Sequence, residues 1–207
     1  MGRLSRVQQR EQNREEVLTA AERVFVDRGF HAATIEEVAE AAGFTKGAVY
    51  SNFANKDELF LAVLSRRVDS RSLAVEANVS TNQPIVEQAA QAGDAFFDNV
   101  MNDPAWSLLL MEFAAHAARH EHLRERFAAR NRQMREAMAQ LIDKHLELLG
   151  LTAPLPTDQL STILFALGSG VILERVIDPD AVPPTLFGAA LAMLFNGVAA
   201  NTPTSSS

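Results

Sequence analysis

Residues 34–60 read TIEEVAEAAGFTKGAVYSNFANKDELF, and this stretch decides the fold. Thr34, followed three residues later by Glu37, forms a capping box that predicts a short helix ending at about residue 41. Gly43 breaks the helical pattern, and Thr45 can cap a second short helix that runs to about residue 52. The stretch therefore predicts two short helices joined at a tight turn, followed by a longer helix.

The two sides of the second short helix differ in chemistry. Val49 and Phe53, together with Val38 of the first short helix, supply the apolar inner face of the helix pair. Gly47 and Ala48 are small residues that let a helix backbone approach another surface closely, and their polar neighbours can donate to phosphates or read base edges in a major groove. On the pattern alone, an ordinary helical corner with a solvated outer face explains these residues equally well.

A longer stretch, residues 24–60, reads VFVDRGFHAATIEEVAEAAGFTKGAVYSNFANKDELF and resembles the DNA-binding domain of the TetR family of transcriptional regulators. The shared marks are Phe25, Gly29 and Phe30 at the end of the first helix, Ala-x3-Gly at the turn, and T-K-G-x-x-Y-x-x-F in the second short helix. The resemblance implies an all-helical dimer with a helix-turn-helix head and a helical body that binds a small ligand.

The resemblance also implies DNA-binding roles for individual positions. Thr34 and Lys56 would hold backbone phosphates, and Tyr50 would contact a phosphate or a base edge. Ser51 and Asn52 would either contact DNA or only cap a helix and face water. The predicted DNA-binding set is Thr34, Thr45, Lys46, Gly47, Ala48, Tyr50, Ser51, Asn52 and Lys56.

Charge is distributed unevenly along the chain of 207 residues, whose formal net charge is −7. Residues 1–67 hold ten Lys/Arg and ten Asp/Glu, whereas residues 68–207 hold nine and sixteen. DNA binding would thus depend on a few placed cations and not on a general positive field. Arg3 and Arg6 form a basic arm that could enter a minor groove, although a flexible basic tail explains them as well.

The remaining sequence has helical apolar spacing throughout, with no sustained alternation typical of strands. We expect an all-α fold of nine helices in a homodimer, with a three-helix head whose first helix runs from about Gln8 to Arg28 and stops at Gly29. The predicted domains are a helix-turn-helix DNA-binding domain over residues 1–54, a helical ligand-binding and dimerisation domain over residues 55–200, and a disordered tail over residues 201–207.

The last two predicted helices form a four-helix dimer interface in the TetR family. Gly168 and Gly170 inside the first of them each cost roughly 1 kcal/mol relative to Ala, which close helix approach across a symmetric interface would offset. A core within one chain is the alternative explanation. The predicted interface residues are Leu160, Leu164, Leu167, Val171, Leu186, Ala190, Met193 and Leu194.

The middle helices carry an apolar, Met-rich set that suits a hydrophobic ligand. The predicted ligand-binding residues are Phe96, Val100, Trp106, Leu110, Met111, Phe113, His116, Met134, Met138 and Phe165. We expect no cofactor. Glu112, His116 and His120 recur every four residues and could bind a divalent metal, although histidines near a helix end are common without one.

Several functional classes are disfavoured by the sequence. It has no Cys, which excludes disulfides and thiolate chemistry, and no G-x-S-x-G or phosphate loop that would favour an enzyme. It has no uninterrupted run of about eighteen apolar residues and no apolar signal segment, so we expect a cytoplasmic protein that does not span a membrane.

The sequence predicts a transcriptional regulator, a repressor released from a pseudo-palindromic operator by a small, largely hydrophobic ligand. A helical ligand-binding module that has lost DNA binding is the alternative.

Overall fold

A computed structural model describes residues 5–75 and 83–200, with side chains over residues 5–67 and 83–199. The described residues form nine α-helices and no strand, as the apolar spacing predicted. Their bounds are α1 Arg6–Ala32, α2 Ile35–Ala42, α3 Lys46–Tyr50, α4 Lys56–Val75, α5 Ile85–Met101, α6 Pro104–Ala118, α7 Glu121–Leu149, α8 Thr157–Ile177 and α9 Leu186–Ala200. The expected tail over residues 201–207 lies outside the described residues.

The chain divides into two compact units that do not coincide with the predicted domains. One unit combines Met1–Ala77 with Leu109–Arg124, and the other combines Asn78–Leu108 with Glu125–Ser207. The boundary expected after residue 54 falls inside the first unit. Helix α6 begins in the second unit and ends in the first, so the head is assembled from two separate parts of the chain.

Capping and one glycine fix the course of α1. Ser5 forms a capping box with Gln8, and the helix begins at Arg6, two residues before the expected start. Gly29 adopts φ +79°, which interrupts the helical path where the sequence predicted a stop. The helix nevertheless continues to Ala32 before α2 begins. Residues much later in the sequence contact this segment and hold it in place.

The helix-turn-helix forms as its local sequence predicted. Thr34 and Glu37 make the expected capping box at the start of α2. Gly43 ends α2 in the left-handed conformation at φ +73°, and the Thr45 hydroxyl accepts a hydrogen bond from the Ala48 N–H at 3.2 Å to open α3. At each of these helix ends, the residue from which the end was predicted provides the cap.

Four phenylalanines form the aromatic core of the first unit. The Phe60 ring lies 5.3 Å from Phe25, 5.4 Å from Phe30 and 4.1 Å from Phe113, measured between ring centroids. Phe113, on the part of α6 that belongs to this unit, is fully buried. Edge-to-face and stacked pairs at these separations add to the stabilisation from apolar burial. The head is therefore completed by a residue from α6.

The second unit is organised around a close crossing of α5 and α9. A Cβ added at Gly93 would lie 2.7 Å from the Gly188 Cα, so the two backbones meet where neither residue has a side chain. The apolar core of this unit includes residues from α5, α7, α8 and α9. Its buried members include Ile85, Phe97, Ile142, Leu146, Leu160, Leu164, Phe187, Leu191 and Phe195.

Helix α8 is strongly apolar on average, although the sequence has no uninterrupted apolar run of about eighteen residues. By length and composition alone, Thr157–Ile177 could cross a membrane, and no other helix among the described residues meets this test. Core helices of water-soluble proteins meet it as well. Leu160 and Leu164 of α8 pack in the apolar core of the second unit, so part of its apolar character serves packing within the chain.

Candidate DNA-binding site

Helix α3 presents one buried and one open side. Val49 is completely buried, and Phe53 just beyond the helix is nearly so. Thr45, Lys46, Gly47, Tyr50 and Ser51 are exposed, while Ala48 and Asn52 are half-buried. All seven residues that the sequence directed outward thus have accessible surface, and their binding to DNA stays a prediction.

Gly47 occupies an open position on this surface. A Cβ added there would have only the Thr45 Oγ1 nearby, at 3.9 Å. Packing among the described residues therefore does not require glycine here. A requirement for small residues at this point would come from something that approaches the helix from outside, as a DNA groove does.

Lys46 is engaged by a carboxylate of the preceding helix. Its ammonium donates a hydrogen bond to Glu36, and its Nζ lies 5.7 Å from the centre of the Tyr50 ring. The hydrogen bond between them lowers the pKa of Glu36 and raises the pKa of Lys46. Both side chains are exposed, so Lys46 can exchange Glu36 for a phosphate or a base edge. The sequence reading missed this partner.

Lys56 ties the start of α4 to the end of α1. Its Nζ donates to the carbonyl oxygens of His31 and Ala33, both at 3.0 Å, and lies 4.8 Å from the centre of the Phe30 ring. An ammonium has three donors, and two of them are used here. Lys56 therefore has a positioning role in the protein, in addition to the phosphate contact that remains a prediction.

Thr34, Ser51 and Asn52 all satisfy helix ends. The Thr34 hydroxyl accepts from the Glu37 N–H at 3.2 Å. At the end of α3, Ser51 Oγ and Asn52 Nδ2 donate to the Ala48 carbonyl oxygen at 2.7 and 3.0 Å. Ser51 and Asn52 thus cap the end of α3, and their contact with DNA stays a prediction.

Glu112 makes a contact that its sequence position did not suggest. Its two carboxylate oxygens accept hydrogen bonds from the backbone N–H groups of Phe30 and His31, at 2.9 and 2.8 Å. A Cβ on Gly29 would come within 2.9 Å of the Glu112 Oε2, so glycine there leaves room for the carboxylate. Glu112 thus holds the last turn of α1 from a position on α6.

The histidines of the hypothetical metal set have other neighbours. The His116 Nε2 lies 3.3 Å from the Asp57 Oδ1, and the His120 Nδ1 lies 2.8 Å from the His116 carbonyl oxygen. No group of three or more His, Cys, Asp or Glu side chains within the described part of the chain is arranged to hold a metal ion. Since Glu112 is turned toward backbone donors, its helical spacing from His116 and His120 does not create a ligand set.

The predicted ligand-binding residues fall into both units. Leu110, Met111, Phe113 and His116 belong to the first, where Phe113 and His116 pack against Phe30. The second contains the other six predicted residues, namely Phe96, Val100, Trp106, Met134, Met138 and Phe165. Trp106 is buried, whereas Phe96 is partly exposed beside Phe187, at 5.4 Å between ring centroids. A ligand-binding role for the full set stays a prediction.

The predicted interface residues point in two directions. Leu160 and Leu164 are only 5% and 8% exposed and pack in the core of their own unit, as do the partly buried Leu167, Val171 and Leu194. Leu186 and Met193 are 42% and 78% exposed and are available to a second copy, while Ala190 is intermediate. Apolar spacing alone could not separate the inner from the outer side of two helices that are apolar around most of their surface.

Two family models match consecutive parts of the chain. Residues 17–63 match the model described as bacterial regulatory proteins, tetR family, and residues 86–199 match the C-terminal domain of BetI-type transcriptional repressors. The second match alone covers more than half of the chain. The chain therefore belongs to the TetR family of helix-turn-helix transcriptional regulators, a class of DNA-binding proteins and not of enzymes.

Individual relatives agree with this assignment. The transcriptional activator FasR of Mycolicibacterium smegmatis is 40% identical over 50% of this chain, which spans only about half of FasR, 47% of its length. The transcriptional repressor AcnR of Corynebacterium diphtheriae is 26% identical over 80% of this chain and 87% of its own. The solved structure of FadR from Bacillus subtilis in complex with stearoyl-CoA shares the fold, with a TM-score of 0.69 at 13% identity over 89% of this chain and 98% of FadR.

Proposed function

We propose that this chain is a cytoplasmic, one-component regulator that binds double-stranded operator DNA as a homodimer through α3. The observation that carries the proposal is the open side of α3, where Lys46 and Tyr50 flank a glycine that packing within the chain does not require. A major groove accommodates a helix with such a surface, and a dimer of heads would read two half-sites about 34–36 Å apart or a multiple of that spacing.

A random-site selection followed by gel-shift titration tests DNA binding. We expect a pseudo-palindromic site, and we expect Lys46→Ala to weaken binding to that site by roughly 1–3 kcal/mol if Lys46 reads a base edge. Arg23→Ala serves as the matched control, because Arg23 is exposed on α1 and is not part of the predicted site. A selection that returns no sequence preference would overturn the proposal.

We further propose that a small, largely hydrophobic effector binds in the second unit and releases the operator. Phe96, Val100, Trp106, Met134, Met138 and Phe165 provide aromatic and thioether surface suited to such a ligand. FadR of Bacillus subtilis, which shares the fold, was solved with an acyl-CoA. A panel of acyl chains of increasing length and of aromatic compounds, scored by Trp106 fluorescence and by operator release, tests the effector class.

The direction of regulation is tested separately. Release by an effector is the behaviour of a repressor, and AcnR is named a repressor while FasR is named an activator. A reporter fused to the selected operator within its native promoter should rise in a strain that lacks the regulator. A fall in the reporter would assign an activator and leave the DNA-binding proposal intact.

Helix α6 is the element that we propose carries the effector signal to the head. It begins in the second unit, and Glu112, on the part of α6 that belongs to the first unit, accepts hydrogen bonds from the N–H groups of Phe30 and His31 in the last turn of α1. Helix α4 is less suited to this role, because over its described length it lies within the first unit. An effector favours a shifted α6 only if it binds that state more tightly, by about 2.7 kcal/mol for ~100-fold release.

A further inference from the structure

Helix α1 extends well beyond the part of the chain that matches the family model. The match begins at residue 17, whereas α1 begins at Arg6, so about 11 residues precede it and lengthen the helix by roughly 16 Å. A capping box fixes the start of this extension, residues 6–16. The Ser5 N–H donates to Gln8 Oε1 at 2.9 Å, and the Gln8 N–H donates to Ser5 Oγ at 3.2 Å. Arg6, which the sequence placed in a basic arm or a flexible tail, is therefore helical, while Arg3 lies outside the described residues.

Two acidic and two basic side chains lie on opposite sides of α1. Toward α4, Glu15 and Glu22 form ion pairs with Arg66. The opposite edge carries Arg6 and Arg10, four residues apart and exposed, with which no carboxylate of the described residues forms an ion pair. Residues four apart lie on the same side of a helix, so the two guanidinium groups share one edge. The acids stabilise the head, and the arginines are left available to an external anion.

The arginine edge borders a groove that continues onto α3. The groove has a volume of about 320 Å³, and its lining includes Arg6, Arg10 and Asn13 of α1 and Ala48, Ser51 and Asn52 of α3 and its end. Gln9 Nε2 donates to Asn13 Oδ1 at 2.9 Å, which orders the polar floor. Arg14, one turn further along, is held over the Phe53 ring with its guanidinium carbon 4.6 Å from the ring centre. The extension is thereby anchored beside α3 within the same unit.

We propose that this extension is a second DNA-binding element, in which Arg6 and Arg10 bind backbone phosphates that flank the base pairs read by α3. A guanidinium binds a phosphate through two parallel N–H donors, and a helix edge with two such groups follows a row of phosphates. Continuity of the groove with Ala48, Ser51 and Asn52 favours DNA over an acidic protein as the occupant. The inference rests on the proposed operator binding by α3.

The test compares the double substitution Arg6→Gln/Arg10→Gln with Arg23→Gln/Arg28→Gln. The control removes two exposed arginines from the same helix that do not line the groove. Operator affinity is measured as a function of salt. Each lost phosphate contact reduces the logarithmic salt slope by about 0.9, so two per protomer reduce it by roughly 3.6 for a dimer on both half-sites. At fixed low salt we expect at least roughly 10-fold weaker binding with an unchanged selected sequence.

A second arm of the experiment uses DNA length. Trimming about half a helical turn, ~5 base pairs, from each end of the operator should weaken binding by wild type and by the control, but not further by Arg6→Gln/Arg10→Gln. Arg6→Lys/Arg10→Lys retains both charges and should restore most of the salt slope, which separates phosphate binding from damage to the fold. Equal salt slopes and equal flank dependence for the two glutamine variants would overturn the inference while operator binding stands. Absence of sequence preference in wild type would instead remove the proposed function and the inference with it.

Discussion

At the scale of single residues, Lys46 has two competing partners. In the free protein it pairs with Glu36, and both side chains are about half exposed. Such an exposed ion pair is weak, so its loss changes DNA binding by a small factor of up to about 5. Contact between Lys46 and DNA competes with this pair, because Glu36 repels phosphate by its charge and occupies one of the three ammonium donors.

We therefore expect Glu36→Gln to strengthen DNA binding up to about 5-fold, on the operator and on an unrelated duplex alike. Fluorescence anisotropy with both duplexes at one salt concentration measures the gain. Glu40→Gln is the control, because Glu40 is exposed on the same helix and has no ion pair with Lys46 among the described residues. An equal gain from Glu40→Gln would show that binding responds to net charge and not to the pair between Glu36 and Lys46.

Lys56 stabilises the protein even when no DNA is bound. Substitution by Met keeps a long, unbranched side chain but removes both donors to the His31 and Ala33 carbonyl oxygens and the ammonium over Phe30. We expect Lys56→Met to lower the free energy of unfolding by about 1–3 kcal/mol without DNA, measured by urea denaturation. Unchanged stability combined with weaker DNA binding would mean that Lys56 acts on phosphate alone.

At the scale of elements, the crossing of α5 and α9 depends on two glycines. A methyl group at Gly93 would meet the Gly188 backbone, which cannot move without separating the helices. We expect Gly93→Ala to cost about 1–3 kcal/mol in thermal or urea unfolding. Gly47→Ala makes the same chemical change on a helix with open space and should be neutral or slightly stabilising. Similar losses for both variants would show that the crossing is not tightly packed.

Glu112 on α6 binds the backbone at the end of α1. Its replacement tests separately for an effect on stability and an effect on operator release. We expect Glu112→Gln to lose at least one of the two charge-assisted hydrogen bonds, to lower stability by about 1–3 kcal/mol, and to reduce operator release by the effector. Glu121→Gln, at an exposed position, is the control. Full effector release with the Gln variant would exclude Glu112 from the path that we propose through α6.

Local sequence predicted the elements well because their ends carry their own signals. Thr34, Gly43 and Thr45 each fix a helix end through neighbours within a few residues, and these ends were confirmed. The segment after Gly29 was not predicted, because the groups that hold it lie on α6, about 80 residues further along the chain. For the same reason Glu112 was considered a metal ligand, since its only sequence signal was its helical spacing from His116 and His120.

At the scale of the whole molecule, assembly into a dimer can be tested at a residue that contributes nothing to the fold of one chain. Met193 is 78% exposed, whereas Leu167 packs against the core of the second unit and would disturb folding if charged. In a dimer, the Met193→Glu carboxylate would be buried without a partner, which costs several kcal/mol. We expect a folded monomer by analytical ultracentrifugation, with loss of operator binding.

Leu148→Glu is the matched control for dimerisation. Leu148 is 58% exposed on α7, outside the predicted interface, and the substitution adds the same charge. It should remain a dimer that binds the operator. A wild-type protein that is monomeric at micromolar concentration would contradict the assembly, and a dimeric Met193→Glu would move the interface elsewhere on the molecule.

The completion of the head by Phe113 has a consequence for how the protein is made. Phe113 is added about 40 residues after Val75, the last described residue of α4, which takes roughly 2–8 s at a translation rate of ~5–20 residues per second. During that interval the rings of Phe25, Phe30 and Phe60 have been synthesised without the ring that covers them. A nascent head therefore exposes aromatic surface on the ribosome until α6 emerges, and ribosome-bound chains should acquire protease resistance in the head only once α6 has left the exit tunnel.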